Sequence, residues 1–395
     1  MVEWKKLGEV ASYYRGVTYN KKQEVSSDSG GTKILRANNI TLDSNSLNFD
    51  DVKEISSSVK IKDYQWLYAN DILICAGSGS KEHVGKVAFI EKDIDYAYGG
   101  FMGKLVSSNS IHPRFFFHVI SSELFKKYLD VALNSTTINN LNSAIINEFL
   151  IPIPSLSEQQ RIVSILDTFT SSISNLKQQI EERRKQYEYE RDLLLDLEGK
   201  EGVEMKKLGE VVSSDCSLSY GIVQPGDDVI DGVPVVRPVD LISNYVKLDG
   251  LKKTERQISE SYKRTILKGN EILFCVRGTT GIMGLATNEL KGCNVTRGIV
   301  PISFDDELTK IFVYYQLKGF RLQKVIDEKT NGTALKQINI KDLRLLNLFF
   351  PPLSTQSRIV SILDTFEQSI ANLEEQLAMR EKQYEYYRNQ LLTFE

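Results

Sequence analysis

The sequence predicts an α+β chain in which two similar α+β modules are joined by two long antiparallel coiled-coil helices with pseudo-twofold symmetry. Three observations predict it. The phrase Arg161-Ile-Val-Ser-Ile-Leu-Asp-Thr-Phe169 recurs as Arg358-Ile-Val-Ser-Ile-Leu-Asp-Thr-Phe366. Each copy belongs to a run of roughly 40 residues with an apolar heptad period and no Gly or Pro. The stretches that precede the two copies share short anchors but are otherwise unlike.

The order along the chain is therefore module one over residues 1–151, a first helix over 152–198, a linker at 199–204, module two over 205–351 and a second helix over 352–395. The anchors repeat in step. Glu3-Trp-Lys-Lys-Leu-Gly-Glu-Val10 matches Glu204-Met-Lys-Lys-Leu-Gly-Glu-Val211, Ile34-Leu-Arg36 matches Val235-Val-Arg237, Asp71-Ile-Leu-Ile-Cys75 matches Glu271-Ile-Leu-Phe-Cys275, and Asn134-Ser-Thr136 matches Asn331-Gly-Thr333. Shared anchors with unlike intervals imply one fold with two targets. Within each module, short β-branched and aromatic runs bounded by Gly, Asn and Ser predict strands at Asp71–Cys75, Lys86–Ile90, Ile272–Val276 and Gly298–Ile302. Helical apolar spacing predicts one helix over Pro113–Leu129 and one over Lys310–Ile326.

In the first long helix the seam is Ile162, Leu166, Phe169, Ile173, Leu176 and Ile180; in the second it is Ile359, Leu363, Phe366, Ile370, Leu373 and Leu377. Both seams run on through an arginine, Arg183 and Arg380, to Tyr187 and Tyr384. Ser157 and Ser354, which follow Pro154 and Pro352, are the expected N-caps. Each helix spans ~60 Å at 1.5 Å per residue. Connectivity gives the direction. The first helix carries the chain away from module one, and a compact module two enters and leaves at the far end, so the second helix runs back. The alternative is that each helix packs only on its own module.

Composition bounds the function. With 395 residues, 41% hydrophobic and 26% charged, the chain reads as a globular protein of two or three domains. No apolar run approaches the ~18 residues of a membrane helix, and Met1-Val-Glu-Trp-Lys-Lys6 is not expected to open a secretory signal. Cys75, Cys216, Cys275 and Cys293 are scattered, which predicts free thiols in a cytoplasmic protein. Charge is uneven. Module one holds 17 basic and 17 acidic residues and module two 21 and 17, whereas residues 152–204 hold 7 and 11 and residues 352–395 hold 4 and 7. Positive charge thus lies on a module and negative charge on the helices, a pattern that permits modules approaching phosphate on a scaffold that avoids it.

Catalytic motifs are missing. Neither a G-x-x-x-x-G-K-[ST] loop nor H-E-x-x-H occurs, and Gly77-Ser-Gly79 fails the dinucleotide fingerprint. His83, His112 and His118 do not cluster with cysteines at metal spacing. The candidate DNA-binding residues are loop donors: Arg15, Arg36, Asn38, Asn39, Lys81 and Lys86 in module one, and Arg237, Arg277, Thr279, Thr280, Arg297 and Lys336 in module two. Arginine can bond a guanine edge through two hydrogens, Asn an adenine edge, and Lys neutralises phosphate. Arg36 and Arg237 share an aligned position, which suits a structural role as well as a recognition role. In Arg277-Gly-Thr-Thr-Gly281 small residues allow close backbone approach to a ligand, or simply form a turn.

These residues carry a resemblance over the whole chain. Pro154-Ser-Leu-Ser-Glu-Gln-Gln-Arg-Ile-Val163, repeated as Pro351-Pro-Leu-Ser-Thr-Gln-Ser-Arg-Ile-Val360, resembles the conserved-region helices of the specificity subunits of type I restriction–modification systems. The openings Trp4-Lys-Lys-Leu-Gly-Glu-Val10 and Met205-Lys-Lys-Leu-Gly-Glu-Val211, and Tyr220-Gly-Ile-Val-Gln-Pro225, resemble the same family; Thr355 departs from Glu158 in the second helix copy. The resemblance implies two target recognition domains, each reading one half of a bipartite site in double-stranded DNA. It implies helices that set the spacing and bind two modification subunits, with restriction subunits as further partners. It also implies a chain without a catalytic centre or cofactor of its own, S-adenosylmethionine and ATP with magnesium belonging to partner subunits. The competing expectation is a coiled-coil adaptor presenting two protein-binding modules without DNA binding.

Overall fold

The structure, a computed structural model, describes residues 2–26, 30–41, 45–79, 81–134, 140–330 and 336–394. The side chains of Lys81 and Asn134 and the anchor residues 135–136 and 331–333 lie outside the described residues. The chain divides into two compact units, Met1–Lys177 with Glu375–Glu395, and Gln178–Glu374.

The first unit is built on a four-stranded antiparallel sheet in the order Ala11–Arg15, Met102–Ser107, Ile72–Cys75, Val87–Phe89. Every residue of Ile72–Cys75 is buried, because this strand lies between two core clusters. A second sheet of five strands contains one parallel pair, Thr32–Leu35 with Ile94–Tyr98. The opening strand Glu3–Lys6 pairs with Leu150–Ile153, which feeds the first long helix. The second unit repeats the plan. Ile272–Cys275 pairs with Met283–Leu285 and Ile299–Ile302, Val233–Val236 runs parallel to Asn294–Val295, and Glu204–Lys207 pairs with Asn347–Phe350 ahead of the second long helix. The repeated openings thus exist to clamp each module to the root of its helix.

Gly16 and Gly221 show why glycine stands in both openings. A Cβ at either would lie 2.1 Å from a backbone oxygen, Gly99 O in one unit and Val295 O in the other. No side chain fits such an approach.

The two helices predicted within the modules are each broken into two. Pro113–Ile120 and Glu123–Asn134 are separated at Ser121, where the backbone leaves helical angles and the Ser122 hydroxyl donates to Val119 O at 2.6 Å. Glu307–Lys318 and Phe320–Glu328 are separated by Gly319, whose ψ of 144° is extended. Apolar spacing continues across both breaks, which is why the sequence reads as one helix.

The long helices are Leu156–Leu194 and Leu353–Leu391, 39 residues each. They begin two residues earlier than the serine caps predicted. Ser155 caps the first through Glu158 N at 3.3 Å, and Pro352 O accepts from Thr355 N at 2.8 Å in the second. The root of each is tied by a buried glutamine: Gln159 Nε2 donates to Pro154 O at 2.9 Å and Gln356 Nε2 to Pro351 O at 2.8 Å.

Antiparallel pairing of these helices is visible inside each unit. In the first, Phe169 stacks on Tyr387 at 5.3 Å and Lys177 pairs with Glu381 at 3.0 Å, so numbers rise on one helix as they fall on the other. In the second, Phe366 packs on Tyr187 at 6.3 Å and Arg184 pairs with Glu374 at 2.5 Å. The arginine in each seam also finds its reason. Arg380 lies over the Phe169 ring at 5.7 Å and Arg183 over Phe366 at 5.9 Å, so each cation caps an aromatic face of the opposing helix. The seam is not uniform. Ile162 and Leu166 join the core of the first unit, and Ile359 and Leu363 that of the second, whereas Phe169, Ile173, Leu176, Phe366, Ile370, Leu373 and Leu377 are half-buried and Ile180 is buried. Among the described residues no helix is long and apolar enough to cross a membrane, and no cluster of His, Cys, Asp and Glu is placed to hold a metal.

Candidate nucleic-acid interface

A matched hydrogen-bond frame lies beside the central sheet of each unit. In the first, Val17 N donates to Tyr98 O at 2.7 Å, Ala76 N to Phe101 O at 2.9 Å, and Leu141 N to Ala76 O at 2.6 Å. In the second, Ile222 N donates to Val295 O at 2.8 Å, Val276 N to Gly298 O at 2.8 Å, and Ile338 N to Val276 O at 3.0 Å. Lone bridges Gly77 to Asn140 and Arg277 to Gln337 complete the correspondence. The backbone is therefore one template, and the differences between units lie in what hangs on it.

In the first unit the template borders an open groove of about 1520 Å³ that brings together Arg15, Arg36, Asn38 and Lys86. Their cations are held mostly by neutral acceptors. Arg15 spans three of them: Nε donates to Gly100 O at 2.9 Å, Nη1 to Leu141 O at 3.2 Å and Nη2 to Asn140 Oδ1 at 3.0 Å. Lys86 Nζ donates to Ala37 O at 2.9 Å and Ile40 O at 2.7 Å. Burial draws the Lys86 ammonium below its ordinary value, with Cys75 and Glu82 acting the other way. Because carbonyls satisfy donors without cancelling charge, both groups still project a positive potential into the groove.

Arg36 and Asn38 share one acceptor, Asp51 Oδ2, each at 2.9 Å. Asn39 is placed differently from the surface contact expected of it. It is buried at 1% exposure, accepts from Arg36 N at 2.8 Å and donates to Asn48 O and Asp51 O. Its amide is fully spent in holding this loop. Asp240 does the same in the second unit, accepting from Arg237 N at 2.8 Å, and also takes the Arg237 guanidinium at 2.8 Å. That hydrogen bond and charge hold Arg237 above its ordinary value. The aligned arginines thus share a loop-closing frame in both units.

The second unit gathers its candidates around the turn after Ile272–Cys275. Gly278 N and Thr280 Oγ1 both donate to Lys336 O, at 2.9 and 3.3 Å, and Thr279 Oγ1 lies 3.6 Å from Cys275 Sγ. Lys336 Nζ pairs with Asp327 at 2.9 Å, an exposed pair of small energetic weight. Arg277 and Arg297 differ from the rest. They flank the hydrogen bond from Val276 to Gly298, and neither side chain has a partner among the described residues. Their matched positions in the first unit are Gly77 and Gly100. Where one unit carries Arg15 bonded to Asn140, the other carries Tyr220, whose hydroxyl receives Gln337 Nε2 at 3.4 Å.

Sequence reasoning missed Phe101. It lines the groove and is 71% exposed. An aromatic directly after Gly99-Gly100 was the available signal.

The comparisons agree with this duplicated plan. The family model described as "Type I restriction modification DNA specificity domain" matches residues 1–183 and again 200–379. Among curated proteins, the Type I restriction enzyme EcoBI specificity subunit of Escherichia coli is 25% identical, with 69% of this chain and 62% of that one aligned. The chain therefore spans about three fifths of this relative. The EcoR124I/EcoR124II specificity subunit of Escherichia coli is 30% identical over 62% of this chain and 63% of its own. The putative type I restriction enzyme specificity subunit S.HindORF215P of Haemophilus influenzae is 26% identical over 100% and 96%. Two solved structures share the fold: a chain from work on complex assembly and conformational transition of the type I R-M system (TM-score 0.60, 19% identity, 99% and 96% covered) and the type I restriction-modification system S subunit from M. genitalium (TM-score 0.57, 14%, 100% and 97%). With both modules and most of each long helix matched, this chain belongs to the type I restriction modification DNA specificity family and carries that family's domain twice.

Proposed function

We propose that the chain is the DNA sequence-specificity subunit of a type I restriction–modification enzyme, itself non-catalytic, with each module reading one half of a bipartite site in double-stranded DNA. The observation that carries this reading is the shared hydrogen-bond template bearing different side chains. A common frame suits a common duplex, and Gly77 against Arg277 or Arg15 against Tyr220 suits two half-sites of different sequence. The groove of the first unit, with Arg15 and Lys86 satisfied by neutral oxygens, favours phosphate or base edges as its occupant.

In this reading the helices set the gap between half-sites and dock two modification subunits that transfer methyl groups from S-adenosylmethionine to adenine; restriction subunits add ATP- and magnesium-dependent cleavage. Exposed apolar residues recur at equal places in the repeat, Leu156 with Leu353 and Tyr189 with Tyr386, as docking two copies of one partner requires. Cytoplasmic residence belongs to the same reading.

Exchange of residues 1–151 for a module from another such subunit tests it, with single-molecule methylation mapping as readout. One half-site is expected to change while the other persists. Loss of any mapped site, or a joint change of both halves, overturns independent reading.

A further inference from the structure

Phe101 is 71% exposed, whereas Phe115, Phe116 and Phe125 of the same unit are at 1% or less. An exposed aromatic on a mobile tip would mean little, but this backbone is held from every side. Phe101 O accepts from both Ala76 N and Gly77 N at 2.9 Å, Gly100 O accepts from Arg15 Nε at 2.9 Å, and Met102 N donates to Gly99 O at 2.8 Å. The ring lies over a bare strip, since a Cβ at Gly77 would sit 3.3 Å from Phe101 Cδ1. Around it the groove carries Arg15, Lys21, Arg36 and Lys86 against Glu24 and Asp51. An apolar plate, rigidly presented amid excess positive charge, fits an occupant with flat apolar faces and an anionic edge. Stacked bases on a phosphate backbone have that chemistry.

The second unit has no room for such a plate. Its matched residue is Gly298, and a Cβ there would meet Pro238 Cγ at 2.6 Å. Arg277 and Arg297 supply the side chains at this turn instead.

We propose that Phe101 determines specificity in module one by wedging against one base step of its duplex half-site and partly unstacking it. The proposal rests on the DNA-reading function above. Apolar wedges of this kind make recognition depend on how easily a step unstacks, which differs with sequence.

The test uses the full chain assembled with its modification subunits and duplexes carrying 2-aminopurine at successive positions of the first half-site, the methylated adenine excepted. Wild type is expected to raise fluorescence at one step. Phe101→Ala should abolish that rise, weaken binding about tenfold and leave the second half-site unchanged, while Phe101→Leu keeps part of both effects. Because the ring is exposed, the melting temperature of Phe101→Ala should equal that of wild type. Unchanged binding and fluorescence in Phe101→Ala, or a fall in its melting temperature that accounts for weaker binding, would sink the wedge alone. Absence of any binding by wild type would overturn the DNA-reading function and the wedge with it.

Discussion

The imidazole of His118 lies 2.8 Å through Nε2 from Oδ1 of Asp167, the aspartate of the duplicated phrase. His118 is wholly buried, and its Nδ1 meets the Tyr384 hydroxyl at 3.2 Å. A neutral ring with its proton on Nε2 satisfies both contacts, donating to the carboxylate and accepting from the tyrosine. Arg114 adds a second donor to Asp167 at 2.9 Å. In the second unit the matched carboxylate, Asp364, receives the Tyr315 hydroxyl at 2.5 Å. The same aspartate therefore fastens each module to its helix, through an imidazole in one unit and a phenol in the other.

That difference predicts unequal acid sensitivity. Burial holds His118 below its ordinary value despite the raising effect of Asp167. For Asp167, burial acts upward, but the His118 and Arg114 hydrogen bonds and charge outweigh it and leave the carboxyl below its usual range. Both folded values are depressed, so both contributions are full at neutral pH and fade on acidification. The His118 share begins to fade near the ordinary imidazole value of about 6.5, the Asp167 share only below about 3.9. Hydrogen-exchange protection in Pro113–Ile120, taken relative to the intrinsic rate at each pH, is expected to fall between about pH 7 and 5 more than in Glu307–Lys318, and His118→Gln should remove the difference. Equal acid responses in the two helices would refute it.

Asp167→Ala should cost about 2–3 kcal/mol in urea unfolding, discounted from a fully buried pair because the carboxylate is 32% exposed. It strands His118 Nε2 and leaves Arg114 only its outer partner Glu91, at 3.5 Å. A loss below about 0.5 kcal/mol would mean that water replaces the carboxylate.

Arg15→Lys keeps the charge but loses the planar fork that spans Gly100, Leu141 and Asn140. Stability is expected to fall by about 1–3 kcal/mol, and recognition of the first half-site with it. Tyr220→Phe at the matched position gives up only a 3.4 Å contact and should cost less than about 0.5 kcal/mol. Comparable losses from the two variants would contradict this ranking.

Arg277→Ala and Arg297→Ala remove side chains without partners among the described residues, so thermal stability should move by less than about 0.5 kcal/mol. Binding of the second half-site should weaken by ~1–3 kcal/mol per base contact, with relaxed discrimination there. Uniform weakening over all sequences and a shallower salt dependence would mark a phosphate contact instead.

Deleting one heptad from each long helix removes ~10 Å of rise, about three base pairs of duplex at 3.4 Å each. Methylation mapping should then report a shorter gap between half-sites or no site. An unchanged gap would reject the helices as the ruler.

The sequence carried the duplication, the two long helices, their direction and the α+β plan. All but the direction are written locally, in an exact repeat, a heptad period or a Gly-free run; the direction follows from the order of modules and helices along the chain. Its errors were also local. Apolar spacing ran unbroken across Ser121 and Gly319, and both helix starts were read two residues late, at Ser157 in place of Ser155 and at Ser354 in place of Pro352. The candidate readers were legible only by residue type, because their state depends on partners far along the chain. Arg15 is bonded to residues 140 and 141, and Lys86 to residues 37 and 40. Asn39 is buried by the loop it closes, and Phe101 is exposed by a turn tied to residues 76 and 77. Periodicity by itself determined the scaffold, since a helix reports its own pattern. Only the tertiary structure decided which donors are spent inside the fold and which face outward, since that is settled by acceptors outside each donor's own segment, 46 residues away for Lys86 and 126 for Arg15.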